Sequence, residues 1–298
     1  MAAQGRLAEE FDRSRNHLLA VAYRMLGSAE EAEDAVQEAW LRASSADADA
    51  VDNLTGWLTV IVSRICLDML RSRQRRREEF VDAADLDRMA DDAGDPQDEA
   101  ALADSVGLAL LVVLDTLTPA ERVAFVLHDM FAVPFDEIAT IIGRSPTAAK
   151  KLASRARQRI SGKPVVPKRD LSRQRAVVEA FIAASRAGDI DGLLAVLAPD
   201  VVRRAEPALL PTGVETELRG ARRLAEETVG NMRRARFAGA ALVNGVVGVV
   251  VAPRGILRAV IQFAIVGDRI TEMEVIGSPE RLERLELAVL DEVPSAAP

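Results

Sequence analysis

The segment PFDEIATIIGRSPTAAKKLASRARQRI, which runs from Pro134 to Ile160, decides the fold of the middle of the chain. It begins with apolar residues at helical spacing. Gly143 then permits the left-handed turn that ends a helix, and Ser145 and Pro146 suit the N-cap and the first residue of a second helix. A short helix, a glycine-containing turn and a second helix together predict a helix-turn-helix.

The second helix of this segment concentrates positive charge in an acidic protein. Residues 147–160 hold five basic residues and no acid, whereas the formal net charge of the whole chain is -8. On a helical wheel the small apolar residues occupy one face and the polar residues another. The alternative, a solvated face of a helical bundle, would mix charges of both signs. We therefore predict contacts to DNA phosphates and base edges by Thr147, Lys150, Lys151, Ser154, Arg155 and Arg157.

A second polar stripe lies upstream, on the helix predicted from Leu54 to Arg75. An aromatic ring and several arginines share one side of this helix, beside its apolar face. Such a stripe suits a nucleic-acid strand that is held by its phosphates and stacked on a ring. The alternative is that the ring covers the edge of the core and that the one acid pairs with a neighbouring arginine. The residues of the stripe are Trp57, Arg64, Asp68, Arg71 and Arg75.

The length and the composition bound the class of protein. A chain of 298 residues is expected to form two or three domains. The single cysteine, Cys66, excludes an internal disulfide framework and suits a reducing cytoplasm. No apolar run approaches the ~20 residues of a membrane span, and the N-terminus lacks a signal-peptide pattern. His17 and His128 are far apart and no Cys/His cluster exists, so neither a zinc site nor another cofactor is expected.

The pattern of apolar, charged and proline residues divides the chain into five segments. Residues 8–77 are predicted to be helical, and residues 78–104 form an acidic linker with eleven acids and one arginine. Residues 105–161 are helical again and contain the helix-turn-helix. Residues 162–170 form a proline-containing tether. Residues 171–290 are predicted to form a mixed helix and strand domain.

The C-terminal segment changes from helical to strand patterning. RQRAVVEAFIAASRAGDIDGLLAVLAPDVV predicts two amphipathic helices, and RGARRLAEETVGNM predicts a third. Runs rich in Val and Ile follow, with turns predicted at Asn244-Gly245 and Gly267-Asp268. Helices followed by a meander of strands indicate an α+β domain.

Three segments, in order, resemble a sigma factor of the extracytoplasmic-function type. AEEAEDAVQEAWLRA is similar to the helix that binds the clamp coiled coil of core RNA polymerase. DNLTGWLTVIVSRICLDMLRSRQRR is similar to the part that opens and reads the minus-ten promoter element, and the helix-turn-helix is similar to the part that reads the minus-thirty-five element. The resemblance implies two all-α sigma domains, with core polymerase and promoter DNA as partners. It also implies polymerase contacts by Glu30, Asp34, Gln37 and Glu38, and adds Asn53 to the minus-ten residues.

The C-terminal segment resembles the SnoaL-like cone fold, most specifically in AGDIDGLLAVLAPDVV and SPERLERL. A subgroup of these sigma factors carries such an extension, which regulates activity within the same chain. The Asn-Gly-x-x-Gly motif of that subgroup is present here, which implies that Asn244, Gly245 and Gly248 form an interdomain contact. The Trp-Leu-Pro-Glu-Pro element typical of the linker in that subgroup is absent.

Two alternative functions stay open at this point. One is a self-contained helix-turn-helix regulator that binds a ligand in its cone, and the other is a cone-fold enzyme with a helical appendage. An enzyme would need a carboxylate or a histidine aimed into an apolar cavity, and no histidine follows His128. Glu272 and Glu274 could point inward or to solvent, and Arg258 and Gln262 could line a polar pocket. No pattern names a reaction, so the sequence predicts no enzyme.

Overall fold

A computed structural model describes residues 2–47, 51–79, 107–209, 215–231 and 235–290. These residues form two compact units. The N-terminal unit contains the described residues up to 79 together with residues 114–158, and the C-terminal unit contains residues 107–113 and 159–290. The predicted acidic linker lies outside the described residues from position 80 onward.

Three helices open the N-terminal unit: α1 (Ala2–Leu26), α2 (Ala29–Ser44) and α3 (Leu54–Glu79). They pack on one another in pairs, because each has an apolar face that must be buried. Ser28 caps α2 by accepting a hydrogen bond from the backbone N–H of Glu31, at 3.4 Å. The Glu31 carboxylate pairs with Arg73 of α3.

The rest of the N-terminal unit contains the predicted helix-turn-helix. Helix α4 (Leu108–Asp115), of which only the last two residues belong to this unit, leads to α5 (Pro119–Phe125). A complete capping box of Thr118 and Glu121 stabilises the start of α5. A π-helical turn (Val126–Met130) follows, and then α6 (Phe135–Ile142) and α7 (Pro146–Ser161). Gly143 ends α6 at φ 68°, in the left-handed region that the sequence predicted.

The C-terminal unit begins with α8 (Lys168–Ala187) and α9 (Ile190–Val196). Strands β1 (Leu197–Ala205) and β2 (Glu217–Arg219), helix α10 (Ala221–Gly230), and strands β3 (Ala238–Val243) and β4 (Val246–Val251) follow. Strands β5 (Ala259–Val266) and β6 (Arg269–Ile276), the short helix α11 (Pro279–Leu282) and strand β7 (Leu287–Ala288) complete it.

The strands form one mixed sheet in the order β2-β1-β6-β5-β4-β3-β7. Only the β1–β6 pair is parallel among these ladders. Helix α8 packs on the sheet, with Phe181 in a core against β1 and β6 and Val178 in a core against β3 and β4. The predicted α+β class is thus confirmed, and both predicted hairpin turns form, with Asn244 at φ 51° and Gly267 at φ 62°.

Two local predictions in this unit were wrong. LAPDVV was assigned to a helix, but Leu197 is extended and starts β1, whose backbone groups pair with β2 and β6 on either side. The predicted tether was too long, because α8 begins at Lys168 with Pro167 as its N-cap residue. Within the described ranges, every helix is either too short or too polar to cross a lipid bilayer.

Candidate nucleic-acid and polymerase interface

Helix α7 presents the predicted cationic face to solvent. Ala149, Ala153, Ala156 and Ile160 are fully buried. The opposite face is exposed and carries no acid of its own helix, so its cations can reach an anionic ligand. The exposed residues are Thr147, Lys150, Lys151, Ser154, Arg155 and Arg157.

One of these cations already has a partner inside the protein. The Arg157 guanidinium donates from Nε to Oδ1 of Asp129, at 2.8 Å. Asp129 lies in the π-helical turn and is only 5% exposed, and its other carboxylate oxygen is buried without a hydrogen-bond partner. Arg157 therefore also pairs with a buried carboxylate of the same unit, which the sequence pattern did not reveal.

Helix α3 places the second predicted stripe at its surface. Arg64, Asp68, Arg71 and Arg75 are exposed, and Trp57 is half-buried at the edge of the core. Asp68 lies 3.7 Å from Arg71, which is a solvent-screened pair of small energetic value. The stripe can therefore exchange this pair for phosphate contacts at little cost.

Asn53 has a structural role at the start of α3. Its side-chain Oδ1 accepts a hydrogen bond from the backbone N–H of Gly56, at 2.9 Å, as an N-cap residue does. The predicted role of Asn53 in reading the minus-ten element thus competes with this cap, because its amide oxygen is already used.

Helix α2 presents an acidic face with one exposed apolar residue. Glu30, Asp34 and Gln37 are exposed, and Glu38 is half-buried and pairs with Arg42, at 2.8 Å. Leu41 follows Gln37 by one turn of the helix and is 56% exposed. Sequence reasoning missed Leu41, although its spacing from Asp34 and Gln37 places it on the same face.

The Asn-Gly hairpin of the C-terminal unit joins two chain segments. Asn244 exchanges two hydrogen bonds with the backbone of Glu286, which precedes β7. The carbonyl oxygen of Gly245 accepts a hydrogen bond from the backbone N–H of Val165, at 2.9 Å. The hairpin therefore holds both the chain that leaves α7 and the chain that enters β7.

Glycine is required at two positions of this motif by close packing. Gly245 has φ 80°, and a Cβ there would lie 2.7 Å from the side chain of Val165. A Cβ at Gly248 would lie 2.8 Å from both the carbonyl oxygen of Ile261 and the side chain of Val243. These contacts of the Asn-Gly-x-x-Gly motif all lie within the C-terminal unit. Gly245 contacts the tether at Val165, and Gly248 contacts the neighbouring strands.

The acidic and polar residues considered for catalysis lie at exposed or half-buried positions of the C-terminal unit. Glu272 and Glu274 are exposed on β6 and pair with Arg204 and Arg281 respectively. Arg258 and Gln262 are half-buried. The described residues contain no group of three or more His, Cys, Asp or Glu side chains that could hold a metal ion.

The sequence of the chain matches two known families. Sigma-70 region 2 matches residues 11–76, and Sigma-70, region 4 matches residues 107–160. The chain is 41% identical to "ECF RNA polymerase sigma factor SigJ" of Mycobacterium tuberculosis, over 80% of this chain and 79% of that protein. It is 43% identical to "Probable ECF RNA polymerase sigma factor SigI" of the same species, over 63% of this chain and 65% of that protein.

Two solved structures are matched with low TM-scores. The crystal structure of Mycobacterium tuberculosis SigJ is 31% identical and covers 93% of this chain and 98% of its own, with a TM-score of 0.43. An NTF2-like protein from Cytophaga hutchinsonii is 15% identical and covers 37% of this chain and 95% of its own, with a TM-score of 0.26.

Proposed function

Because the chain belongs to the extracytoplasmic-function sigma factors of RNA polymerase, we propose a division of labour among its surfaces. The face of α2 binds the clamp coiled coil of core polymerase. The stripe on α3 captures the opened minus-ten element, and the exposed face of α7 reads the minus-thirty-five element. The protein acts with polymerase and promoter DNA in the cytoplasm and catalyses no reaction of its own.

The observation that carries this proposal is the asymmetry of α7. Its buried face consists of small apolar residues, and its exposed face bears Lys150, Lys151 and Arg155 without an acid on the same helix. Each cation that neutralises a phosphate releases a counterion, so such a face binds DNA in a salt-dependent manner. The few cations on α7 favour weak binding by the free chain and firm binding only as a part of the polymerase holoenzyme.

The stripe on α3 acts in the step that separates the two DNA strands. Trp57 and the exposed arginines of α3 are suited to hold unpaired bases and their phosphates once the duplex opens. The free energy for opening then comes from the capture of those bases. Replacing Trp57 with Ala should slow the opening step more than it weakens the closed promoter complex.

Transcription with purified core polymerase tests the proposal. Lys151→Ala with Arg155→Ala in the full chain should weaken promoter binding by the holoenzyme and reduce its logarithmic salt slope by about 2. Arg175→Gln, which breaks an exposed ion pair with Glu179 on α8, is the control. If the wild-type chain fails to bind core polymerase, the proposal is wrong. Operator binding without polymerase would instead support a self-contained regulator, and turnover of a small substrate would support an enzyme.

The C-terminal unit is proposed to modulate this activity through its hold on the tether. The backbone N–H of Val289 donates to the carbonyl oxygen of Ile160, the penultimate residue of α7, at 2.9 Å. Gly162 packs so closely on Ala288 that a Cβ on this glycine would lie 2.3 Å from the Cβ of Ala288. The C-terminal end of α7 and the residue after it therefore contact the chain at β7. These contacts support a regulatory coupling between the C-terminal unit and α7.

Full-length variants test this regulatory role better than a truncation at Ile160. Leu108, within the region 4 match, packs on β3, where a Cβ on Gly239 would lie 3.2 Å from the Cβ of Leu108. A truncated chain would lose this support, so a change in its activity would be ambiguous.

A further inference from the structure

The positive charge of α7 continues along the chain after the helix ends. Residues 147–175 hold ten basic residues and a single acid, Asp170, in a chain whose formal net charge is -8. Five of the ten follow α7, in the tether (residues 162–167) and in the first two turns of α8. A solvated connection is expected to mix charges of both signs. The run therefore indicates an anionic partner for the connection as well as for α7.

The five basic residues after α7 divide into two groups. Arg173 pairs with Asp268 in the β5–β6 hairpin, with Nε 2.6 Å from Oδ1, and Arg175 pairs with Glu179 one turn further along α8, at 2.7 Å. These two cations thus have acidic partners within the C-terminal unit. The other three, which we call the tether cations, are exposed: Lys163, Lys168 and Arg169.

Two of the tether cations occupy positions that are unfavourable for folding. Lys168 and Arg169 are the first two residues of α8, whose N-cap residue, Pro167, provides no side-chain hydrogen bond. The N-terminal end of a helix carries a partial positive charge, which repels cations and attracts acids. Only Asp170 supplies an acid in this first turn. Lys168 and Arg169 therefore do not stabilise α8, which indicates that their role lies outside the fold.

The backbone that carries the tether cations is held in place by the C-terminal unit. The N–H of Val165 donates to the carbonyl oxygen of Gly245, at 2.9 Å. Gly162 packs directly on Ala288 of β7. Because the backbone is already ordered, binding by the tether cations costs the conformational entropy of their side chains alone.

The length of the chain keeps the first tether cation close to the exposed face of α7. Arg155 lies six residues before the end of α7 at Ser161, which is about 9 Å along a helix. Lys163 follows Ser161 by two residues, which span at most about 7 Å. The resulting limit of about 16 Å is comparable with the major groove, which is about 12 Å wide between its two phosphate backbones. With α7 in the groove, Lys163 can therefore reach a phosphate at the edge of that groove.

We propose that the tether cations bind DNA phosphates that flank the minus-thirty-five element, so that the C-terminal unit contributes directly to promoter binding. This inference rests on the proposed function, in which α7 reads that element. The predicted contacts of α7 include three cations besides the paired Arg157, so the tether cations double the number of cations that can neutralise phosphates. Phosphate contacts carry no sequence information, so they raise the affinity without changing the choice of promoter.

The salt dependence of promoter binding tests the number of phosphates that are neutralised. Each such contact contributes about 0.9 to the logarithmic salt slope, so replacing all three tether cations with Gln should reduce the slope of the holoenzyme by about 2 to 3. The matched control replaces three exposed arginines elsewhere in the C-terminal unit and changes the net charge equally. It combines Arg222→Gln, Arg236→Gln and Arg284→Gln. The control should keep the wild-type slope.

A hydroxyl-radical source on α8 tests the location of the contact. Ser172→Cys places a chelated iron at an exposed position, one turn after Lys168. The native Cys66 is fully buried, and burial raises the pKa of its thiol to about 12, so it stays unlabelled. In the holoenzyme–promoter complex the iron should cleave DNA that flanks the minus-thirty-five element. Complexes that form without cleavage there would contradict the proposal.

The triple Gln variant decides the inference. A salt slope equal to those of the wild type and the control would overturn it. A steeper slope would overturn it too, because the tether cations would then have been engaged by acids of the chain itself.

A second measurement separates this inference from the proposed function. If the wild-type chain binds no core polymerase, the proposed function is refuted. The free full-length chains are then compared on a labelled duplex of arbitrary sequence at low salt, where phosphate contacts act without polymerase. The triple variant should again have the smaller slope, and equal slopes would overturn the inference independently.

Discussion

The Arg157 guanidinium on helix α7 is hydrogen-bonded to the buried carboxylate of Asp129, with Nε 2.8 Å from Oδ1. This relationship separates Arg157 from the other cations of α7. We expect Arg157→Ala to lower the free energy of unfolding by about 1–3 kcal/mol, because it leaves a buried carboxylate without its charged donor. Chemical denaturation of the full chain measures this loss.

The matched comparison is Arg155→Ala on the same helix, whose side chain is exposed. Its unfolding free energy should stay within about 0.5 kcal/mol of the wild type, while holoenzyme binding to the promoter weakens. If Arg157→Ala and Arg155→Ala lowered the free energy of unfolding equally, the Arg157–Asp129 contact would not contribute to stability.

Leu41 is expected to add an apolar contact to the acidic face of α2 that we propose binds core polymerase. It is 56% exposed in the free chain, so its replacement removes little packing. Leu41→Ser should weaken binding to core polymerase by about 1–2 kcal/mol, a roughly 5- to 30-fold increase in Kd, without lowering the melting temperature. A binding titration with labelled chain measures the change, and Arg13→Gln on α1 is the control. An unchanged Kd would restrict the polymerase contact to the polar residues of α2.

Local signals in the sequence were enough to predict the helix-turn-helix and the two hairpins. Gly143 and Asn244-Gly245 dictate backbone conformations by themselves, whatever packs around them. Strand β1 was missed because its conformation depends on β2 and β6, which are remote in sequence. The Arg157–Asp129 and Arg73–Glu31 pairs were missed for the same reason, since a helical wheel reports only the neighbours on one helix.

Gly245 is expected to couple the C-terminal unit to the tether. Gly245→Val combines a strained backbone at φ 80° with a collision against Val165 and the carbonyl oxygen of Lys163. We expect this variant to expose residues 162–167 to limited proteolysis and to change transcription in the reconstituted assay. Gly267→Val, at φ 62° in the other hairpin and away from the tether, controls for strain alone. If residues 162–167 were cleaved equally in both variants, the prediction that Gly245 couples the C-terminal unit to the tether would be wrong.

Glu206 should make the stability of the C-terminal unit depend on pH. Burial by itself raises the pKa of this carboxyl, but hydrogen bonds from the backbone N–H groups of Gly277 and Ser278, together with Arg281, outweigh it and hold the pKa below its usual range. A carboxyl with a lowered pKa in the folded state contributes stability above its unfolded pKa, and this contribution is lost as the pH falls through the folded value. Glu206→Gln should therefore lower the melting temperature at pH 7.

The difference between Glu206→Gln and the wild type should shrink as the pH is lowered through the acidic range, because the wild-type carboxyl then becomes protonated and loses the same charged interactions. Calorimetric melting of both chains at a series of pH values measures this convergence. Glu272→Gln is the control, because that carboxylate is exposed on β6 and its pair with Arg204 is screened by solvent. A melting difference for Glu206→Gln that stays constant from neutral to acidic pH would assign the effect to side-chain shape rather than to charge.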